Sequence, residues 1–383
     1  MQEYMTVLNE IKKKVQQAQL KTVIAANKHM LYLYWDMGNY ILKHQHEKGW
    51  GAKIISLLEA DLKKAFPAIK GFSSRNLLYM KQFAEAYPIA ILQTFNQLEE
   101  EIREGKTFTY EWSNKLISIE KQSIIITQQP VAQLQEETFL KSIVSKVTWS
   151  HHVILLNKLT DPGKRFWYML NTIEHGNSRN ILASQIDSNL FERQVTAKKI
   201  TNFSKTLPEP DTEFATYIMK DPYIFDFVQA KEKADERNIE QQLTDHITKF
   251  LLELGKGFAF IGKQVHLEIG GQDFYIDLLL YHIRLHAYVV VELKARDFQP
   301  EDTGKLNFYI NVVNDRLKGP GDTDTIGMLL CKGKNEVMAE YALKGIGHPI
   351  GVAEYQLAKA IPEELKSQLP EIADLENELN EEK

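Results

Sequence analysis

The sequence predicts an α/β C-terminal domain of order αβββαβ, with additions, behind a mostly α-helical N-terminal domain. Three observations carry this reading. Residues 238–254 repeat Ile239, Leu243, Ile247, Phe250, Leu251 and Leu254 at helical spacing. Three apolar, strand-like runs follow in close succession, the first two joined through Gly270-Gly271. The N-terminal region instead shows three- and four-residue apolar spacings, punctuated by Pro67, Gly71 and Pro88.

Val7 to Leu42 suits one long or broken amphipathic helix with Val23, Leu31, Tyr34, Trp35 and Ile41 among its apolar positions. Ala52 to Phe66 is a second helix, ended by Pro67; a turn at Gly71 and a cap at Ser73 or Ser74 open a third, Arg75 to Ala86. This layout fits a helix-turn-helix unit whose second helix presents Arg75 and Lys81 to a nucleic acid. It fits equally a helical hairpin with a solvated polar face. GKTFTYEW and SIIITQQP look like strand or wing segments, making a winged-helix arrangement possible, whereas VAQLQEETFLKSIV reads as helix. Ser150 is a candidate cap for the next helix, and Asp161-Pro162 starts another. The Phe166, Trp167, Tyr168 group reads as helix packing. His151, His152 and His175 lack acid or Cys partners at ligand spacing, which argues against a zinc site.

A linker is expected where TLPEPDT, 206–212, interrupts the helical pattern, and FATYIMKDPYIFDFV then docks against the following core. The expected organisation is a helical domain over 1–205, a linker and docking segment over 206–235, an α/β domain over 236–360 and an acidic tail over 361–383. The strands are Phe258 to Ile269, Gln272 to His282 and Ala287 to Ala295. Beyond them come a helix from Pro300 to about Leu317, a strand Thr325 to Cys331, a helix Glu336 to Leu343 and a strand Ile350 to Tyr355.

Composition narrows the function classes. No apolar run approaches the roughly 20 residues that span a bilayer, and MQEYMTVLNEIKKKVQQ lacks the apolar core of a secretory signal. A cytoplasmic protein without a membrane partner is expected. The single cysteine, Cys331, cannot form an internal disulfide and is expected in the core. A net charge of −5 argues against indiscriminate attraction to nucleic acid. Residues 361–383 hold eight acids against two lysines, so the remainder is nearly neutral and leaves room for a local basic groove.

The chemical signal lies in the strands. YIDLLL contains one acid, Asp277; after fourteen intervening residues come Glu292 and, two further on, Lys294, both in VVVELKA. Alternation along a strand puts Glu292 and Lys294 on one face. Pairing of the two strands brings Asp277 beside Glu292. Carboxylates in such apolar runs are costly to bury unpaired, so a cation should compensate them. Mg²⁺ (or Mn²⁺), held by carboxylate oxygens and bridging to phosphate, fits best. Lys294 can then position the attacking water or stabilise transition-state charge.

These words resemble the PD-(D/E)xK nuclease core of the restriction-endonuclease-like superfamily, and more closely the YhcG-type PDDEXK nuclease domain proteins of bacteria. GFAFIGKQVHLEIGGQDFYIDLLLYH, VVVELKARDFQPEDTGKLNFYI, KGFSSRNLLYMKQF and WSHHVILLNKLTDPGKRFWY carry the likeness over most of the chain. Ile276 stands where the motif's name has proline. The resemblance implies a metal-dependent endonuclease acting on DNA rather than RNA, in defence against foreign DNA or in recombination and repair. It implies catalytic roles for Asp277, Glu292, Lys294 and Glu240, with Asp277, Glu292 and Glu240 as metal ligands and the main-chain carbonyl of Leu293 a further one. Gln264, Lys305 and Tyr309 are then nucleic-acid contacts. A homodimer is expected, because one site per chain must cut two strands, and defence-system or repair proteins are candidate partners. The alternative is a nucleic-acid-binding or complex-assembly protein whose nuclease-like core no longer cuts.

Overall fold

The computed structural model describes residues 2–48, 52–67, 71–123, 132–209, 211–228 and 236–357. The chain divides into two compact units, Met1–Phe191 and Glu192–Lys383. The first is helical, with no strand among its described residues. Its first helix, Gln2–Lys48, is continuous rather than broken. Leu31, Tyr34, Trp35 and Ile41 are buried, and the Trp35 indole donates to the Tyr87 carbonyl at 2.8 Å. At Gly38 the helix touches the backbone of the Ser74–Ala86 helix: a Cβ there would collide with the Met80 carbonyl oxygen.

Ser73 is the cap of that helix, its hydroxyl accepting from the Asn76 amide, while Ser74 binds Glu59 on the Ala52–Ala65 helix. Asn76 is also held by Gly71 and Trp149, so this turn is fixed by side chains from three segments. GKTFTYEW does not form a strand. Tyr110–Ser123 is a helix, seated by buried Ser113 and Leu116, and this packing overrides the weak β preference of Thr, Phe and Tyr. SIIITQQP lies almost wholly outside the described residues. The Trp149–Lys158 helix is capped at Thr148, not Ser150. Asp161 caps Pro162–His175 as expected, accepting from the amides of Gly163 and Lys164. Phe166, Trp167 and Tyr168 are all buried.

The second unit is built on one mixed sheet of seven described strands: β1 Ile200–Thr201, β2 Tyr223–Phe225, β3 Phe258–Ile269, β4 Gln272–His282, β5 Ala287–Lys294, β6 Ile326–Cys331 and β7 Ile350–Leu357. The order is β1-β7-β6-β5-β4-β3, with β2 also on β7. β3, β4 and β5 form an antiparallel meander; β5, β6 and β7 are parallel. Val289, Val291 and Leu293 point into a core shared with Ile239, Leu243, Phe250 and Leu254, while Val290 packs on the other face with Leu306, Ile310 and Val313. Cys331 is buried in that second core.

The helix expected across 238–254 is two helices, Glu236–Asp245 and Ile247–Leu254, broken where His246 leaves helical geometry at φ −112° and ψ 39°. The compact unit also reaches back to Glu192. β1 pairs antiparallel with Val352 and Gly351, and β2 pairs parallel with Tyr355 to Leu357, so residues that precede 236 complete the β7 edge. Ala215, Met219, Tyr223, Phe225 and Val228 enter the same core as Val289. Buried charges reinforce this edge. Lys334 pairs with Asp221, whose other oxygen takes the Glu354 amide, and Arg193 meets Glu253 at 2.5 Å. The acidic tail, 361–383, lies outside the described residues.

Candidate active site

β4 and β5 pair only from Leu278↔Val291 to His282↔Ala287. Beyond that point the Asp277 carboxylate replaces the missing ladder partner, accepting the Leu293 amide at 2.9 Å. The strand residue thus carries an acid to the mouth of a fork in the sheet. Glu292, 0% exposed, lies on the adjacent strand. One of its oxygens, Oε1, accepts from Lys294 Nζ at 2.8 Å and from Lys305 Nζ. The other, Oε2, is buried with no hydrogen-bond partner.

Electrostatics follow from this geometry. Burial, and after it the neighbouring Glu292 carboxylate, push the Asp277 pKa up to about 7. Burial works against the Lys305 charge, but Glu292 more than offsets it, and the lysine pKa lies above its ordinary value. Lys305 extends from the Asp302–Arg316 helix, and its ammonium stands 5.2 Å from the centre of the Tyr309 ring one turn further on. Tyr309 itself is 2% exposed, which suits it to support Lys305 from below rather than to meet a ligand directly.

Glu240 is also buried, and burial raises its pKa; its carboxylate accepts from the Gln264 amide at 2.6 Å. Gln264 is exposed and takes a left-handed backbone, φ 45°, just beyond the register shift between Phe260 and Gly262. The structure therefore gathers Asp277, Glu292, Lys294 and Lys305 directly, and ties Glu240 to Gln264 alongside them. One contributor escapes sequence reasoning. Glu236, one turn before Glu240, lies 3.7 Å from Lys294 Nζ and accepts the Ala295 amide at 3.3 Å. The four-residue interval from Glu240 was the available signal, since it places both acids on one helix face. Tyr355 further fixes the motif strand by donating to the Lys294 carbonyl at 3.1 Å.

The donor set fits a divalent cation. A carboxylate oxygen buried without a partner is costly, and Glu292 Oε2 is buried in this way beside a second acid. Asp277, Glu292 and the Leu293 carbonyl, which accepts from Lys294 Nζ at 3.2 Å, could offer oxygen donors, the kind that hard cations such as Mg²⁺ require. Among the described residues no cluster of three or more His, Cys, Asp or Glu side chains is assembled for a metal. In the other unit, Arg75 is exposed with its guanidinium 5.9 Å from the Tyr79 ring, and Lys81 is half-buried. Among the described residues no helix is long and apolar enough to cross a membrane.

Comparison with known proteins agrees with the geometry. Residues 216–370 match the YhcG PDDEXK nuclease domain, and residues 10–121 and 106–193 match the DUF1016 N-terminal domain. The chain is 28% identical over 352 residues to a protein of Escherichia coli (strain K12) named "Putative nuclease YhcG", covering 90% of this chain and 87% of that one. No solved structure matches.

Proposed function

Since this chain belongs to the family that joins a DUF1016 N-terminal domain to a YhcG PDDEXK nuclease domain, we propose that it is a metal-dependent endonuclease hydrolysing DNA phosphodiester bonds. The observation that carries the reading is the orphaned Glu292 Oε2, buried beside Asp277 at the sheet fork. Asp277, Glu292 and the Leu293 carbonyl would hold Mg²⁺ or Mn²⁺, with Glu240 close enough to couple electrostatically to Glu292. Bound there, the cation supplies Lewis-acid stabilisation of phosphoryl charge and lowers the pKa of water.

The chain's own residues do the rest. Lys294, held by Glu292 and by Glu236, orients the attacking water and carries positive charge toward the phosphate. Water adds at phosphorus, the bond to the leaving oxygen breaks, and no covalent enzyme intermediate forms. Lys305, half-exposed at the rim, takes the substrate phosphate once it leaves Glu292. Gln264 stands at the exposed margin as a second contact, and Arg75 with Lys81 offers backbone contacts from the helical unit. Cutting both strands of a duplex calls for two copies of the chain. Defence against foreign DNA and recombination or repair are the roles that fit this chemistry.

The test is incubation of the full chain with supercoiled plasmid, linear duplex, single-stranded DNA and a four-way junction, with Mg²⁺, Mn²⁺ or EDTA. Metal-dependent cutting is expected and should vanish in Lys294→Ala. Binding of all four substrates without cutting of any would favour a core retained for binding or assembly.

A further inference from the structure

Between Glu10 and Asp36 the sequence contains five lysines, Lys12, Lys13, Lys14, Lys21 and Lys28, and no acid. In a chain with more acids than bases this is a concentrated positive segment. It lies within the unbroken Gln2–Lys48 helix. Lys14, Lys21 and Lys28 recur every seven residues, which keeps them on one side of the helix at steps of roughly 10.5 Å.

Burial gives the segment its character. From Asn27 onward the helix is anchored, Asn27 donating to the Val147 carbonyl at 3.2 Å, Lys28 to the Leu140 carbonyl at 3.3 Å, and Leu31 fully buried. Residues 12–26 are exposed on every side. Among the described residues no carboxylate pairs with Lys12, Lys13, Lys14 or Lys21. Such lysines repel one another within a Debye length. A polyanion relieves that repulsion and releases its own condensed counterions.

We propose that residues 12–26 form a basic arm that binds the phosphate backbone of duplex nucleic acid, independently of sequence. The occupant follows from charge complementarity: a run of cations without acids, spaced along a rod, matches a linear array of phosphates. Lys14 stands about 36 Å along the helix from Gly38 and the Ser74–Ala86 contact. The arm supplies affinity rather than chemistry. This inference goes beyond the nuclease reading, because an uncut duplex tests it.

The experiment measures binding of the full chain to a fluorescent 30-base-pair duplex in EDTA, across a series of KCl concentrations. The variant replaces Lys12, Lys13, Lys14 and Lys21 with Gln, which keeps helix propensity; circular dichroism checks that it folds. Each lost phosphate contact should lower the slope of log K against log salt by about 0.9, so a reduction of about 2 to 4 is expected. An unchanged slope would overturn the proposal. So would weaker binding that accompanies a shift from dimer to monomer in sedimentation equilibrium, which would assign the segment to self-association instead.

Discussion

Asp277 accepts the Leu293 amide at 2.9 Å at the place where the β4–β5 ladder has ended at Leu278 and Val291. The carboxylate does what a strand partner would otherwise do, and so is held at the fork without being neutralised by a cation of its own. Glu292, by contrast, carries two ammonium groups on one oxygen and none on the other.

Asp277 destabilises the metal-free protein. Its folded pKa of about 7 exceeds an unfolded value of roughly 3.9, so the unfolded chain gives up its proton first. Stability is therefore lost as pH rises from about 4 to about 7 and is level beyond. Asp277→Asn should be more stable than wild type in EDTA, by on the order of 1–3 kcal/mol at pH 8 and less at pH 5. Urea unfolding at the two pH values checks this. An Asn variant equally or less stable at pH 8 would contradict it.

Lys305 competes for Glu292. Replacing it with Met removes a positive charge bonded to Oε1 of Glu292, the proposed metal-binding carboxylate, so Mn²⁺ should bind roughly tenfold more tightly, about 1.4 kcal/mol. Cleavage should nevertheless fall, because the substrate phosphate loses its contact. Calorimetry and single-turnover assays report the two effects separately.

Gly38→Ala should cost about 3 kcal/mol or more, because the new methyl group meets the Met80 carbonyl rather than a flexible side chain. A lowered urea midpoint is the readout. Unchanged stability would mean that the two helices separate at no cost.

The folding unit of the nuclease half should begin near Glu192. A chain begun at Glu236 lacks β1, β2, and the Asp221 and Arg193 partners of Lys334 and Glu253. Breaking buried pairs in this way costs about 3–5 kcal/mol each. The 192–360 fragment is expected to give a cooperative thermal transition and the 236–360 fragment none.

Much of this was legible in the sequence. Phe258–Ile269 and Gln272–His282 stand as strands with the bounds their alternation and the Gly-Gly turn imply. Asp277, Glu292 and Lys294 converge because period-two geometry leaves an acid in an apolar strand few places to go. What was hidden depends on long-range packing. β1 and β2 are two and three residues long, too short to show alternation, and exist because β7 offers an edge. The break at His246 interrupts an apolar pattern that continues across it. Tyr309 reads as a nucleic-acid contact, yet packing in the core that holds Leu306 and Ile310 buries it next to Lys305.

The most direct test of the central claim, that Asp277 and Glu292 form a metal-dependent active centre, is isothermal titration of metal-free full chain with Mn²⁺. Wild type should bind the ion, with proton release at pH 7 as Asp277 ionises, and Glu292→Gln should lose the site while keeping its fold. Equal Mn²⁺ binding by both proteins would contradict the account.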